Sequence, residues 1–163
     1  MNKTKKLVTA SMFAVIIFVV TMVVKIPVIK GYINLGDGAI LIASWMLPAF
    51  YSTLAAAIGS ALADFALGYA VYIPATFIIK GLMALATYYV YFFLSKKFNK
   101  VVSCIISGII AEIIMIGGYL LYESFLYGFI PAFVNAGTNL IQGLCGLIAG
   151  VVLFIIIDKR LNK

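Results

Sequence analysis

The sequence lacks the residues on which most catalytic and metal sites depend. It contains no histidine and only two cysteines, Cys104 and Cys145, each inside an apolar run. A zinc or haem site therefore has almost no ligands to use, and a Ser/His/Asp triad is impossible. No Gly-Lys dipeptide occurs, so the chain cannot form the P-loop of an ATPase. We expect neither an enzyme nor a resident metal or cofactor.

Charged residues are also scarce. They make up 10% of the 163 residues, whereas 65% are hydrophobic and the mean hydropathy is +1.18. A soluble domain carries roughly 25% charged residues, so this chain cannot cover its surface with polar groups. Residues 7–24 and 143–157 contain no charge at all. Because a membrane-spanning helix takes about 20 apolar residues, the sequence predicts an all-α integral membrane protein, a single domain over residues 1–163 with six transmembrane helices.

Helix-breaking residues place the six helices near 6–25, 38–50, 52–68, 75–96, 101–126 and 132–158. These breaks are marked by residues that interrupt or begin helices. They are Pro27, Gly31, Pro48, Gly68, Pro74, the run KKFNK at 96–100, and Pro131.

The distribution of basic residues predicts the orientation of the helices. With six passes, nine basic residues fall on the side of the two termini: Lys3, Lys5, Lys6, Lys96, Lys97, Lys100, Lys159, Arg160 and Lys163. Three fall toward the other side: Lys25, Lys30 and Lys80. Since cytoplasmic segments carry the excess of Lys and Arg, both termini are predicted to be cytoplasmic. The net charge of +7 is therefore explained by the orientation of the protein in the membrane and implies no nucleic-acid partner. We also expect the basic residues to attract anionic lipid.

Three segments are predicted to lie on the outer side as loops, at 31–38, 68–74 and 121–131. They are rich in Gly, Tyr and Pro and poor in Lys. Tyrosine suits the membrane interface, so we expect these loops to fold against one another over the outer mouth of the bundle.

Polar residues at membrane depth are costly and are functional candidates by default. Glu112, Tyr119 and Glu123 share one stripe of the fifth helix, because residues seven and four apart face the same way. The candidate substrate-binding residues all fall in the outer half or in the outer loops. They are Tyr32, Asn34, Asp64, Tyr72, Thr76, Lys80, Glu112, Tyr119, Glu123, Asn135, Asn139 and Gln142.

Two alternatives stay open for these polar residues. Asn and Gln also hold transmembrane helices together, and an Asp64–Lys80 pair could be purely structural. We favour a ligand site for the set as a whole, because structural contacts have no reason to concentrate at one depth beside aromatic loops. Such a pocket suits a small polar ring compound, and we expect Glu112→Gln and Asn139→Ala to weaken its binding about tenfold or more.

Small residues four apart allow close helix contacts. Gly146 and Gly150 on the sixth helix, and Gly59 on the third, are interpreted as internal packing positions. Ala10 and Ala14 are interpreted differently, as a docking site for a partner, because the first helix is expected to face outward.

Three blocks of the sequence carry a family resemblance: GYINLGDGAI, GSALADFALGYAVYIPATFIIKGLMA and NLIQGLCGLIAG. With them, the chain resembles an S component of an energy-coupling factor (ECF) vitamin transporter. The resemblance implies a subunit of the bacterial cytoplasmic membrane that captures a vitamin or precursor outside. It implies docking through the first helix onto a transmembrane coupling protein joined to two cytoplasmic ATPases. It also implies inward release by toppling within the membrane.

The resemblance gives the stretch 31–38 the role of a lid. Gly31, Gly36 and Gly38 would permit backbone conformations that β-carbons forbid. Tyr32 would stack on a ring, and Asn34 would hydrogen-bond to the ring or pin the loop. For Asp37 we favour a helix-capping role.

The substrate is left with alternatives. The sequence most resembles members linked to vitamin B6 or to the hydroxymethylpyrimidine precursor of thiamine, and riboflavin- or thiamine-specific members are the alternative. Two functions of another class also stay open. One is a stand-alone transporter that couples to protons through Glu112 or Asp64, and the other is a structural membrane subunit without a ligand.

Overall fold

The computed structural model describes residues 2–27 and 32–161, and these form six α-helices, two short strands and a 3₁₀ turn. In chain order the elements are α1 (Lys3–Val23), β1 (Lys25–Pro27), β2 (Tyr32–Asn34), α2 (Gly36–Met46), α3 (Ala49–Ala66), the 3₁₀ turn (Ala70–Tyr72), α4 (Ile73–Leu94), α5 (Lys100–Tyr127) and α6 (Phe129–Leu161). The predicted helices correspond to these six within a few residues at most ends. Lys30, Gly31 and Lys163, to which the sequence analysis assigned roles, lie outside the described residues.

Local side chains account for several helix starts. Oδ1 of Asn2 accepts from the backbone N–H of Lys5 (2.9 Å) at the start of α1. Oδ1 of Asn99 accepts from Val102 (2.9 Å) at the start of α5. Each satisfies a backbone donor that has no partner inside the helix. Pro74 lies in the first turn of α4, as predicted, where its missing N–H costs nothing.

Five helices are long and apolar enough to cross a membrane: α1, α3, α4 with the preceding turn, α5 and α6. The remaining helix, α2, has 11 residues, about 16 Å at 1.5 Å per residue, whereas the hydrocarbon core is about 30 Å thick. By length, therefore, α2 does not span alone, and the sixth span stays a prediction.

The predicted outer loop at 121–131 is largely helical. Helix α5 continues to Tyr127 and α6 begins at Phe129, with Gly128 between them at φ +87°. That backbone conformation is open to glycine and strained for other residues. Pro131 lies in the first turn of α6, so the break is made by Gly128 and not by Pro131.

The outer loop at 31–38 is also more regular than predicted. Strands β1 and β2 pair antiparallel, with Lys25 opposite Asn34 and Pro27 opposite Tyr32, and residues from Gly36 onward are helical. We call the β1–β2 pair the hairpin, and the end of the bundle that it covers the hairpin end.

Helix α2 lies at the centre of the bundle, and its residues from Gly36 to Trp45 are buried. It contacts α6 through glycine: a Cβ on Gly38 would lie 3.0 Å from the carbonyl oxygen of Gly146 and 3.3 Å from the nitrogen of Gly150. Gly146 and Gly150 are thus an internal packing site, as expected. The conformational role predicted for Gly36 and Gly38 is wrong, because both have helical backbones, and glycine is needed there for close approach.

Helix α1 packs on α3 through its small residues. A Cβ on Gly59 would lie 2.5 Å from the carbonyl oxygen of Ala14 and 3.1 Å from Cβ of Ile17. Ala10 is buried and Ala14 is half-buried, so this stripe of α1 faces α3. The lipid-exposed face of α1 carries larger apolar side chains: Leu7, Val8, Met12, Val15, Ile16 and Val19.

The two ends of the bundle differ in charge. The second half of α1 and the first half of α6 meet the hairpin, since Thr21 and Gln142 line one cavity with Asn34. The start of α1 and the end of α6 therefore lie at the opposite end, where Lys100 pairs with Asp158 (2.7 Å). Eight of the basic residues described in the structure belong to that opposite end by position in the chain: Lys3, Lys5, Lys6, Lys96, Lys97, Lys100, Lys159 and Arg160. Lys25 lies in the hairpin and Lys80 is buried.

Candidate functional site

A small polar cavity lies under the hairpin, between α1, α3, α4, α5 and α6. Its free volume is about 50 Å³, enough for a few water molecules. The lining residues are Thr21, Tyr32, Asn34, Ser60, Asp64, Tyr69, Tyr72, Thr76, Lys80, Tyr119, Glu123, Asn135, Asn139 and Gln142. Eleven of the twelve residues predicted from the sequence are among them, and Glu112 is not.

Lys80 and Asp37 form a buried ion pair at the base of this cavity, joining α4 to α2. The ammonium group of Lys80 donates to Oδ1 of Asp37, and the two residues are 4% and 0% exposed. Lys80 therefore pairs with Asp37 and not with Asp64, the partner that the sequence left open as an alternative. The capping role expected for Asp37 is wrong. The N-cap of α2 is Leu35, and α2 has no side-chain cap bond. The Asp37 carboxylate points into the bundle toward Lys80 instead.

Gln142 connects this ion pair to the hairpin. Its Nε2 donates to Oδ2 of Asp37 (2.7 Å), and its Oε1 accepts from the backbone N–H (3.0 Å) and the amide (3.2 Å) of Asn34. Oδ1 of Asn34 in turn accepts from the backbone N–H of Gly36 (2.8 Å). Of the two roles predicted for Asn34, the structure shows the second, since Asn34 pins the loop.

Tyr32 attaches the hairpin to α3. Its hydroxyl donates to Oδ1 of Asp64 (2.7 Å), and its ring lies 5.0 Å from the ring of Tyr69. The pKa of the Tyr32 hydroxyl is raised well above its ordinary value of 10.0. Burial is the larger cause, and the neighbouring Asp64 carboxyl group is the second. Tyr32 therefore keeps its proton, and donates this bond, throughout the neutral pH range.

Glu123 organises the other side of the cavity. Its carboxyl oxygens accept from the amide of Asn135 (2.7 and 2.9 Å), and Oε1 also accepts from the hydroxyl of Tyr72 (3.2 Å). Nearby, the hydroxyls of Thr76 and Tyr119 are 2.8 Å apart and share a hydrogen bond. These contacts bring together α4, α5, α6 and the 3₁₀ turn.

Glu112 lies deeper, outside the cavity. It is 6% exposed, and neither carboxyl oxygen has a hydrogen-bond partner among the described residues. A Cβ on Gly143 would lie 2.8 Å from its Oε2, so the carboxyl group packs over α6. Of the three residues in the predicted stripe of α5, Tyr119 and Glu123 line the cavity and Glu112 does not.

Three lining residues have buried polar atoms that make no hydrogen bond to the residues described: Oγ of Ser60, Oδ2 of Asp64 and Nδ2 of Asn139. Buried polar atoms are paired in the great majority of cases. These three are therefore positions where a ligand or ordered water would complete the bonding.

Sequence reasoning missed Thr21, Ser60 and Tyr69 as lining residues. Ser60 precedes Asp64 by one helical turn and so shares its face, a signal that the spacing could have supplied. Tyr69 lies in a segment already noted for its tyrosines. Thr21 is a single hydroxyl in an apolar run, and nothing in the sequence distinguishes it from an ordinary helix position.

Residues 1–159 match the model of a protein family described as "ECF-type riboflavin transporter, S component". The chain belongs to this family. S components are membrane-embedded transport subunits and not enzymes, so the expectation of a non-enzymatic protein is confirmed.

Other proteins are similar over most of their length. A Pyrococcus woesei protein described as "uncharacterized protein in gap 3′ region" is 30% identical over 146 residues, which cover 88% of this chain and 95% of that one. The S component in "Structure and mechanism of the S component of a bacterial ECF transporter" has a TM-score of 0.69 and 24% identity, covering 99% of this chain and 97% of its own. The S component for biotin from an ECF-type ABC transporter has a TM-score of 0.66 and 18% identity, covering 100% and 95%. At these identities the two solved structures support the ECF S-component fold and not a particular ligand.

Proposed function

We propose that this S component is the substrate-capture subunit of an ECF-type importer. It binds a small water-soluble vitamin or precursor in the cavity under the hairpin. A transmembrane coupling protein and two cytoplasmic ATPases then drive its toppling in the membrane and the inward release of the ligand.

The observation that carries this proposal is the convergence of polar side chains on one cavity in an otherwise apolar bundle. Residues from seven elements meet there, including Tyr32 from β2, Asp64 from α3 and Asn139 from α6. Since polar groups at membrane depth are expensive, a purely structural network would satisfy all of them. The unpaired atoms of Ser60, Asp64 and Asn139 favour a ligand site instead.

The charge distribution supports an outward-facing cavity. The end of the bundle opposite the hairpin carries most of the basic residues, and the positive-inside rule assigns such an end to the cytoplasm. The hairpin then lies outside and acts as the lid, because the cavity beneath it holds only a few waters and a ring compound needs it to open.

Docking onto the coupling protein is proposed to use α1 together with α3. An apolar groove of about 280 Å³ opens to the lipid side between these helices, lined by Ala14, Val15, Phe18, Leu62, Phe65 and Ala66. Of the two predicted docking residues, Ala14 lines this groove, whereas Ala10 is buried and would act by letting α1 lie close to α3.

A single heteroaromatic ring of the pyridoxine or hydroxymethylpyrimidine type is the proposed substrate. The tyrosines and polar side chains of the lining suit a small ring with polar substituents, which the cavity would admit once the hairpin opens. Riboflavin is the second candidate, favoured by the description of the matching family.

The test is ligand identification on the purified protein. Small molecules that co-purify are identified by mass spectrometry, and pyridoxine, hydroxymethylpyrimidine, thiamine and riboflavin are then titrated by calorimetry. We expect saturable one-to-one binding of one of them in the absence of any partner protein. Absence of binding to all four would contradict the proposal and favour a structural subunit.

A further inference from the structure

We propose that the cavity selects its ligand by charge, favouring a cationic nitrogen-containing ring over its neutral form and rejecting its phosphorylated form. This inference rests on the proposed function and names the chemistry of the ligand at the same site.

The first observation is an arc of tyrosine rings along the cavity wall. Tyr32 and Tyr69 have ring centroids 5.0 Å apart, Tyr69 and Tyr72 are 6.4 Å apart, and Tyr72 and Tyr119 are 6.4 Å apart. All four line the cavity. The face of an aromatic ring carries negative electrostatic potential, and clusters of such rings bind organic cations.

The second observation is an excess of acidic groups around the cavity. Asp64 and Glu123 line it, while Asp37 and Glu112 lie behind it. Among the described residues that line the cavity, Lys80 carries the one basic side chain, and its ammonium group is already paired with Asp37. No basic side chain in this lining is left to balance Asp64 and Glu123.

The partners of these two carboxyl groups are neutral. Asp64 accepts from the Tyr32 hydroxyl, and Glu123 accepts from Tyr72 and Asn135. A buried carboxylate without a countercharge is strongly disfavoured. A cationic ligand in the cavity would supply the missing positive charge.

One acceptor is already positioned for such a ligand. Oδ2 of Asp64, a residue that is 4% exposed, has no hydrogen-bond partner among the described residues. The groups beside this carboxyl group are the neutral hydroxyls of Tyr32 and Thr76, of which Thr76 also shares a hydrogen bond with Tyr119. A ring N–H or ammonium group entering the cavity would pair with this oxygen through a charge-assisted hydrogen bond. A phosphate or carboxylate entering the same space would meet acidic groups and no unpaired cation, which is a repulsive basis for specificity.

The test compares ligands that differ mainly in charge. Pyridoxamine, pyridoxine and pyridoxal phosphate are cationic, neutral and anionic near neutral pH. Thiamine, its neutral deaza analogue and thiamine monophosphate form a second series, and riboflavin with its monophosphate a third. Dissociation constants for the purified full-length protein are measured by calorimetry.

We expect the cationic member of the bound series to bind about tenfold more tightly than the neutral member, and the phosphorylated member to bind most weakly. The inference is overturned if the neutral or phosphorylated member binds as tightly as the cation, or if riboflavin alone binds. Either result leaves the proposed capture function standing. Binding of no compound overturns both.

A variant identifies the source of the selectivity. Glu123→Gln keeps an acceptor oxygen for Tyr72 and Asn135 but removes the acidic group. It should lower the ratio of cation to neutral affinity about tenfold, because only the cation loses an opposite charge. Equal weakening of both ligands, or an unchanged ratio, would show a structural role for Glu123 and contradict charge selection.

Discussion

The ammonium group of Lys80 in α4 binds the carboxylate of Asp37 in α2, inside the bundle and beneath the hairpin. Gln142 in α6 donates to the second oxygen of the same carboxylate (2.7 Å) and accepts from Asn34 of the hairpin. The charged pair together with Gln142 thus joins the central helix to two of its neighbours and to the hairpin. The side chains of Lys80, Asp37 and Gln142 therefore link the helices and also form the base of the candidate site.

Removing one partner of this pair should destabilise the protein. Lys80→Met leaves the Asp37 carboxylate buried and unpaired, which costs about 3–5 kcal/mol in comparable cases. Asp37→Asn leaves the Lys80 ammonium group unpaired in the same way. We expect both single variants to unfold at clearly lower temperatures than the wild type in detergent.

The double variant Asp37→Asn/Lys80→Met should lose less stability than the sum of the two single variants, because no unpaired charge remains. Lys100→Met is the matched control, since its partner Asp158 is at the surface and the side chains are 48% and 29% exposed. Breaking that pair should cost at most about 1 kcal/mol. Strict additivity at Asp37 and Lys80 would show that the pair does not matter.

The bond between Tyr32 and Asp64 (2.7 Å) should slow the opening of the hairpin. Tyr32→Phe keeps the ring contact with Tyr69 and removes only the hydroxyl, which is worth about 1 kcal/mol. We expect the ligand dissociation rate, measured by stopped-flow or filter binding, to rise about fivefold.

Tyr89→Phe is the control for that experiment, because Tyr89 is in α4, 49% exposed and not part of the cavity lining. It should leave the dissociation rate unchanged. A Tyr32→Phe rate equal to that of the wild type would mean that the hairpin does not limit ligand release.

Asn139 should contribute directly to ligand binding. Its Nδ2 is a buried donor without a partner among the described residues, so a ligand acceptor can use it at little cost. We expect Asn139→Ala to raise the dissociation constant about tenfold, as measured by calorimetry.

Leu140→Ala is the matched control one position along α6, where the side chain is 51% exposed on the outer face, and it should bind as the wild type does. Glu112→Gln should have a smaller effect than the sequence alone predicts, because Glu112 does not line the cavity. Equal affinity of Asn139→Ala and Leu140→Ala would assign Asn139 to helix packing.

The sequence predicted the helices and most of the lining residues because both depend on local patterns. Apolar length and helix breakers place α1 to α6 within a few residues, and polar residues at membrane depth and in the predicted outer loops identify eleven of the lining positions. These signals depend only on the polarity of each position and its spacing along one helix.

Pairing between helices was not predictable in the same way. Lys80 has Asp64 and Asp37 as possible partners, and the choice depends on the central position of α2. That position requires Gly38 to lie against Gly146 and Gly150 at backbone contact distance. The inward direction of Glu112 likewise depends on how α5 is rotated against Gly143. The spacing of residues along one helix does not determine how that helix is rotated against its neighbours.

The close approach of α1 to α3 should depend on Gly59. In Gly59→Ala the new Cβ would lie 2.5 Å from the backbone oxygen of Ala14, so the helices must separate. Overpacking of this kind costs about 1–3 kcal/mol, and we expect a lower unfolding temperature in detergent.

Gly117→Ala is the matched control, because a Cβ at Gly117 of α5 would meet nothing within 4 Å. It should be neutral or slightly stabilising, since alanine favours the helix by up to about 1 kcal/mol. Equal stability of the two variants would mean that α1 and α3 adapt to the extra carbon.

Filling the groove between α1 and α3 should separate ligand capture from transport. Ala14 borders this groove and not the cavity, so Ala14→Leu is expected to retain the affinity of the purified protein for its ligand. Uptake of labelled ligand by cells that also contain the coupling protein and its ATPases should fall at least about tenfold, because the partner helix can no longer approach. Val152→Leu, which enlarges an apolar side chain by one carbon on the exposed face of α6, is the control for a change elsewhere on the lipid-facing surface and should leave uptake intact. If Ala14→Leu cells take up ligand at the wild-type rate, the partner docks elsewhere on the bundle. If ligand binding is lost as well, α1 and α3 position the cavity itself.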